Sequence, residues 1–334
     1  MVSDKMVKDA GYTCCEYQAV NELIFSKRGV LYRHKRKGIE KINVASFFER
    51  LLLRFFPLIA RLLRWQFYNV VPFEDGIVVC WKKDLLIYKK GCWHKVDFGG
   101  RSFRIFRNGI SRVDGCFYFG EYFDNSERGE VLLYKLNPHT EKLQVVYRFP
   151  EKSIRHVHSV RYSNFKKAFY VLTGDHGLEA KIIVFDNGFK ASKTLMEGDE
   201  SCRAIYADVE SEPLIYATDA QFEDNYIISF DGEQGKKLIQ TDGPVFYGCN
   251  FRGGRLFSVV YEGAPSQKGK KITLIKMSSA GNFEVLLQGQ KDIFSTRFFQ
   301  FGQYLLPYVD GDIESVWVSS MGIKGFGSVL NEIT

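Results

Sequence analysis

Past residue 68 the chain alternates between short runs of β-branched and aromatic residues and clusters of Gly, Asn, Asp and Ser. Typical runs are GIVVCW (76–81), CFYFGEYF (116–123), AFYVLTG (168–174), KIIVFD (181–186), NYIISFD (225–231) and SVWVSS (315–320). Each has the length of a strand, and the polar clusters between them are turn signals at all-β intervals. No long helical period follows, which argues against crossover α/β folds. One earlier segment breaks the pattern. Over residues 44–67, VASFFERLLLRFFPLIARLLRWQF places Arg50, Arg54, Arg61 and Arg64 within roughly 80° of one another on a helical wheel. Apolar side chains, Phe55, Phe56 and Trp65 among them, cover the rest of that surface. Pro57 removes an amide donor, so the segment should be two short helices with a bend.

The strands recur as a unit. RIFRNGISRVDGCFYFGEYFDN, IRHVHSVRYSNFKKAFYVLTGDHG, SCRAIYADVESEPLIYATDAQF, PVFYGCNFRGGRLFSVVYEGAP and STRFFQFGQYLLPYVDGD can be laid over one another. Each copy has a basic or aromatic entry, a first strand, a turn, and a strongly apolar second strand ending in an acidic residue. Two further strands follow most copies. The spacing of about 40–52 residues matches four-stranded propeller blades. Less regular copies around LIFSKRGVLYRHKRKGIEKI and VVPFEDGIVVCWKKDLLIYKKGCWHKV complete the set. The expectation is an all-β, seven-bladed β-propeller, with six blades as the alternative, forming a single domain over 1–334. Segment 44–67 is then an amphipathic helical insertion between the first two blades.

A cationic stripe on a greasy helix suits a lipid interface, with guanidiniums at the phosphates. Arginines at these intervals rule out a spanning helix. Docking to a partner protein and burial in the domain's own core are the competing readings. The expected membrane-binding residues are Arg50, Arg54, Arg61, Arg64, Phe55, Phe56 and Trp65. Net charge is +7, and the basic run YRHKRKGIEK (32–41) near this helix points to an anionic membrane before nucleic acid. No nucleic-acid-binding signature is present. The seven cysteines lack C-x-x-C spacing, and the N-terminus lacks an apolar signal region. A peripheral, monotopic position on the cytoplasmic side of the inner membrane is the expectation.

The repeat also nominates a site. In a propeller blade the start of the first strand and the end of the second reach one face of the disc. Those positions carry Arg107, His156 with His158, Arg203, Tyr247 and Arg297 at the starts, and Glu121, Asp175, Asp219, Glu262 and Asp310 at the ends. The expected catalytic set is His156, His158, Asp175, Tyr247, Glu121 and Asp219; the expected substrate-binding set is Arg107, Arg203, Arg297 and Glu262. His156 and His158, two apart on a strand, point to one side and could hold a metal, pass a proton or pack through a hydrogen bond. No metal or cofactor is expected. Each carboxylate also has a plain reading as a turn residue, and each arginine as an inter-blade ion pair.

GEYFDN (120–125), the 154–177 block with R-H-V-H and T-G-D, the 202–231 block with A-T-D, and GPVFYGCN (243–250) resemble the sialidase-like, BNR/Asp-box type β-propeller proteins of bacterial polysaccharide and O-antigen loci. The likeness spans about residues 100–310, while the Asp-box is eroded: FDNGFKASKTL and FDGEQGKKLI keep the turn without the tryptophan. The resemblance implies a propeller with a carbohydrate-active role. Guanidiniums match carboxylates bidentately, so an anionic or lipid-linked glycan is the expected ligand, with polysaccharide-assembly enzymes as candidate partners. The expected activity is glycosidase- or lyase-type cleavage or transfer. The alternative is a non-catalytic glycan- or protein-binding propeller scaffold at the membrane.

Overall fold

The computed structural model describes residues 4–325 and 330–334. Among these, the strands form seven small sheets following one another along the chain, the arrangement of a seven-bladed β-propeller. The first sheet holds Cys14–Ala19, Glu22–Lys27, Val30–Lys35 and Gly38–Asn43; the second holds Phe67–Phe73, Gly76–Trp81, Asp84–Lys89 and Cys92–Lys95. The third runs from Ser111–Val113 to Lys142–Phe149, the fourth from His156–Ser163 to Ser192–Glu197, and the fifth from Ala204–Asp208 to Gly235–Thr241. The sixth spans Val245–Phe251 to Phe283–Gln290, and the seventh joins Gln303–Leu305, Val316–Met321 and Leu330–Ile333.

The last copy pairs differently from its expected pattern. YLLPYVD reads as a second strand of the seventh blade, but Tyr308–Asp310 pairs in parallel with Cys14–Ala19 of the first sheet. Tyr17 opposes Tyr308, and the Tyr17 hydroxyl donates to Asp310 Oδ2 at 2.8 Å. Asp310 therefore ends a strand of the first sheet and not the second strand of the seventh. The chain's two ends are therefore joined through the first sheet, with the Cys15 amide donating to Ser319 Oγ at 3.1 Å.

The chain divides into two compact units, Val71–Phe246 and the remainder, with the divisions falling inside two strands, Phe67–Phe73 and Val245–Phe251. In the Val71–Phe246 unit, inner strands such as Cys116–Gly120, Ala204–Asp208 and Leu214–Thr218 are buried at every residue. Such strands are covered on both faces, which explains their unbroken apolar runs. The last strands are far less covered: Lys142–Phe149 keeps one buried residue, and Ser192–Glu197, largely polar, keeps none. Val131, Leu133, Val157, Val171 and Phe185 form a core between the third and fourth sheets, and Leu172, Ile182, Ala207 and Tyr216 one between the fourth and fifth.

In the other unit, helix α1 (Asp4–Ala10) sends Val7 into a core with Tyr12, Phe25, Trp317 and Leu330. The insertion forms α2 (Phe47–Phe55) and α3 (Pro57–Leu62), shorter than the 44–67 segment read from the pattern. Ser46 starts α2 with a capping box: its hydroxyl accepts the Glu49 amide, and the Glu49 carboxylate accepts the Ser46 amide. Pro57 opens α3 at the first-turn position it tolerates. The Trp65 amide returns to the Ala60 carbonyl and the Arg64 amide to Arg61, a Schellman ending with Arg64 at φ +52° where glycine is usual.

Candidate functional site

The strongest convergence of predicted residues lies within the Val71–Phe246 unit, where the third, fourth and fifth sheets begin. A register shift between Val157 and Ser159 accompanies the R-H-V-H run. His156 and His158 nonetheless face one way, as the two-residue spacing predicts, while Val157 enters the core. Their Nε2 atoms are 3.1 Å apart. His156 Nδ1 lies 3.1 Å from the Phe123 carbonyl, and His158 Nδ1 lies 2.9 Å from the Ala204 carbonyl. Three glycines make room for this run. A Cβ at Gly174 would lie 2.4 Å from His158 Cε1, one at Gly120 2.5 Å from Val157 Cβ, and one at Gly109 2.9 Å from the His158 carbonyl.

The proton count of this pair is informative. Each carbonyl requires an N–H from the Nδ1 it faces, and the Nε2–Nε2 contact requires one proton between the rings. Three contacts call for three protons, whereas two neutral imidazoles bring two. Burial nevertheless favours the neutral rings: it lowers His156 to about 4, assisted by the charges of Arg155 and Arg203. Burial, then the charges of His156 and Arg203, hold His158 well below the ordinary histidine value. Tyr122 lies with its ring centroid 4.4 Å from His156, and Phe106 packs on Tyr122, His158 and Phe246.

Beside the histidines runs a chain of alternating charge. Asp124 accepts from Arg155 at 2.6 Å, and Arg155 also binds Asp175. Asp175 lies 3.6 Å from Arg203, and Arg203 Nε donates to Asp219 at 3.0 Å. Asp124 follows the third sheet's second strand, Arg155 and Asp175 flank the fourth sheet's inner strands, and Arg203 and Asp219 flank those of the fifth. Three successive sheets are thus tied by charge. Burial pushes Asp175 up, but the Arg155 hydrogen bond and the charges of Arg203, Arg155 and His176 outweigh it and leave the carboxyl low. Asp219 goes the other way. It is 2% exposed, its Oδ1 accepts no hydrogen bond, and burial raises it to about 6 despite Arg203.

Sequence reasoning missed several members. Arg155 and Asp124 complete the charge chain, and Glu200 organises the adjoining turns. Glu200 accepts the Gln221 and Phe222 amides at 2.6 and 2.8 Å and His176 Nδ1 at 2.9 Å. Arg155 was visible as the first letter of R-H-V-H, and His176 as the residue after T-G-D. Their partners belong to other sheets, so no local spacing announces them.

Other predicted residues have different surroundings. Glu121 is 0% exposed, and its carboxylate accepts from Arg101 Nε and Nη2 at 2.5 and 2.6 Å, the Leu132 amide at 3.0 Å and the Tyr134 hydroxyl at 2.9 Å. With its lone pairs so occupied, Glu121 has the bonding of a structural anchor between Arg101, Leu132 and Tyr134. Arg107 is buried in the same unit. Tyr247, Glu262 and Arg297 belong to the other unit. The Tyr247 hydroxyl donates to Gln303 at 3.2 Å, and Gln267 Oε1 accepts the amides of Glu262, Gly263 and Ala264. Arg297 is corrected: it does not start a strand but sits exposed in a turn before Gln303–Leu305, over the Phe298 ring at 5.5 Å. The Arg297 amide donates to the Ser295 hydroxyl at 3.3 Å, and that local turn is why TRFFQF is not a strand.

The arginine stripe of the insertion is the largest revision. Arg61 turns toward its own unit, 2.8 Å from Asp292 and 3.3 Å from Gln300, with its guanidinium over Phe294 and Phe299. Arg64 lies over Phe301 at 5.7 Å. These two arginines clamp the helices to the protein and leave the apolar side outward: Phe47 is 64% and Phe48 76% exposed, and Phe55, Phe56, Leu58, Ile59, Leu62 and Leu63 are also exposed. Arg54 is exposed, while Arg50 and Trp65 are half-buried. No helix among the described residues is long and apolar enough to cross a membrane.

Among the described residues no group of three or more His, Cys, Asp or Glu side chains is placed to hold a metal ion. A small pocket lined by Cys80, Asp84, Leu85, Phe98, Phe103 and Ile105 includes none of the predicted site residues.

No family model and no curated protein matches this chain. Solved structures do. The AfRom2 CNH domain aligns over 97% of this chain and 98% of its own, with a TM-score of 0.55 and 8% identity. The extracellular domain of the hybrid two-component system BT4673 from B. thetaiotaomicron aligns over 93% of this chain and 37% of its own, at TM-score 0.55 and 10% identity. At such identities the likeness defines the fold alone. The protein is an all-β, seven-bladed β-propeller.

Proposed function

We propose that this propeller is a binding scaffold held at a membrane surface by its helical insertion. The observation that carries the reading is the outward apolar side of α2 and α3, fixed in place by Arg61 on Asp292, Gln300 and two phenylalanine rings. A helix pair that exposes this much apolar surface while anchored from behind is suited to rest in a lipid interface. The state of the carboxylates supports a binding role over a catalytic one. Glu121 is saturated, Asp175 is engaged by Arg155 of its own sheet and Arg203 of the next, and Asp219 is engaged by Arg203 of its own sheet. All seven cysteines are thiols, which supports a reducing compartment and so a cytoplasmic membrane face. The test is flotation with phosphatidylserine-containing vesicles. Wild type should float, and Phe48→Asp/Phe55→Asp should stay at the bottom with an unchanged melting temperature; equal flotation of the two would end the proposal.

One observation favours a second reading. Asp219, raised to about 6 beside Arg203, and the two neutral imidazoles on which the Arg203 charge also acts, form a set from which an acid, a base and an anion clamp could be drawn. In that reading, which the sialidase-like resemblance supports, an anionic or lipid-linked glycan is processed at the membrane.

A further inference from the structure

The loop that holds Arg61 has an exposed apolar side of its own. Between the strands Phe283–Gln290 and Gln303–Leu305, Asp292, Phe294, Phe299 and Gln300 receive Arg61, while Ile293 is 88% and Phe298 56% exposed. The loop is rigidly based. Lys291 is buried, binds Asp292 and donates to the Phe294 carbonyl at 2.8 Å, and the Asp292 and Lys324 amides close on the Gly322 and Gln290 carbonyls. An exposed isoleucine and phenylalanine on a fixed base are not the result of a slack loop.

We infer that the 291–301 loop is a second insertion element that acts with α2 and α3, and that the surface the two present together takes an anionic lipid bilayer. This rests on the membrane reading given above and extends it to residues outside the insertion. Charge favours lipid over protein. Arg54 on α2 and Arg297 on the loop are exposed. Lys270, whose carbonyl accepts the Lys291 amide, and Lys324, bonded to Gln290, add exposed cations at the loop's base. The carboxylates of the two elements are spent internally: Glu49 on the Ser46 amide, and Asp292 on Arg61 and Lys291. What remains is apolar side chains bordered by positive charge, the complement of acyl chains beneath anionic headgroups. Arg61 is the hinge pin that makes two distant segments one surface.

The experiment compares wild type, Ile293→Asp/Phe298→Asp and Phe48→Asp/Phe55→Asp on phosphatidylcholine vesicles with and without phosphatidylserine, at low and high salt. The loop variant should lose at least about tenfold in partitioning onto phosphatidylserine vesicles, as expected for withdrawing two side chains from the interface. Wild-type binding should weaken with salt and with omission of phosphatidylserine. If the loop variant binds like wild type while the helix variant does not, the loop proposal is overturned and the membrane reading stands. If neither variant loses binding, both fall. Binding insensitive to salt and to phosphatidylserine would overturn the anionic-lipid assignment. Retained melting temperatures in both variants show that partitioning, and not folding, has been read.

Discussion

Replacing His156 by Gln should flatten the acid sensitivity of this protein, because His156 is a buried imidazole kept neutral in a place that its proton count makes receptive. Its folded value is about 4 and its ordinary value 6.5. A depressed histidine contributes stability that is complete above its unfolded pKa and is lost as pH falls toward the folded one, so the window runs from 6.5 down to about 4. At pH 5 the unfolded chain gains a proton that the native state refuses, costing about 2 kcal/mol; at pH 7 the same difference is only about 0.2 kcal/mol. His158, lowered further, adds to the loss in the same direction. Asp219 opposes it: a carboxyl raised to about 6 takes up its proton first in the folded state and returns about 1 kcal/mol over the same interval.

The assay is urea unfolding of wild type and His156→Gln at pH 7 and pH 5, with free energies from linear extrapolation. Glutamine keeps a donor and an acceptor near the Phe123 carbonyl and His158 Nε2 but cannot titrate. Between pH 7 and 5 wild type should lose about 2 kcal/mol more than the variant, whatever the cost of the substitution at pH 7. Carboxylates held low, such as Asp175, lose their stabilisation mainly below this interval and are common to both proteins. Parallel pH dependences in the two proteins would refute the argument that His156 is neutral and buried in the native state.

Two further substitutions probe the same neighbourhood. Gly174→Ala puts a Cβ where the His158 ring lies, 2.4 Å from Cε1, and should lower stability by about 1–3 kcal/mol in thermal unfolding, whereas Gly269→Ala, at an open position with no left-handed backbone, should leave it unchanged. Asp219→Asn removes the group that gains on acidification, so its loss between pH 7 and 5 should exceed that of wild type by about 1 kcal/mol. The same variant decides the glycan-processing reading: turnover of an anionic glycan that persists in Asp219→Asn excludes Asp219 as its acid or base.

The limits of what could be read from the sequence have physical causes. Blades were legible because inner strands, covered on both faces, are written as apolar runs with turn residues between them, as in CFYFG and LIYAT. The closure was not, because three residues, Tyr308–Asp310, carry no periodicity that says which sheet they join. The shared side of His156 and His158 follows from a period of two, yet Arg155 to Asp124 and Arg203 to Asp175 are contacts between sheets. A helical wheel likewise groups Arg50, Arg54, Arg61 and Arg64 but has no outside. The outside is set by Asp292, Phe294, Phe299 and Gln300, far along the chain, which draw Arg61 inward and turn the apolar residues away from the protein. With Arg61 committed, its positive charge is neutralised by Asp292 and is not available to phosphate. Within the helices and the loop, electrostatic attraction to an anionic surface then rests on exposed cations such as Arg54, Arg297 and the lysines at the loop's base. Salt sensitivity of vesicle binding should respond to Arg297→Gln, while Arg61→Gln should loosen α3 from its loop; a wheel alone would assign both arginines the same role.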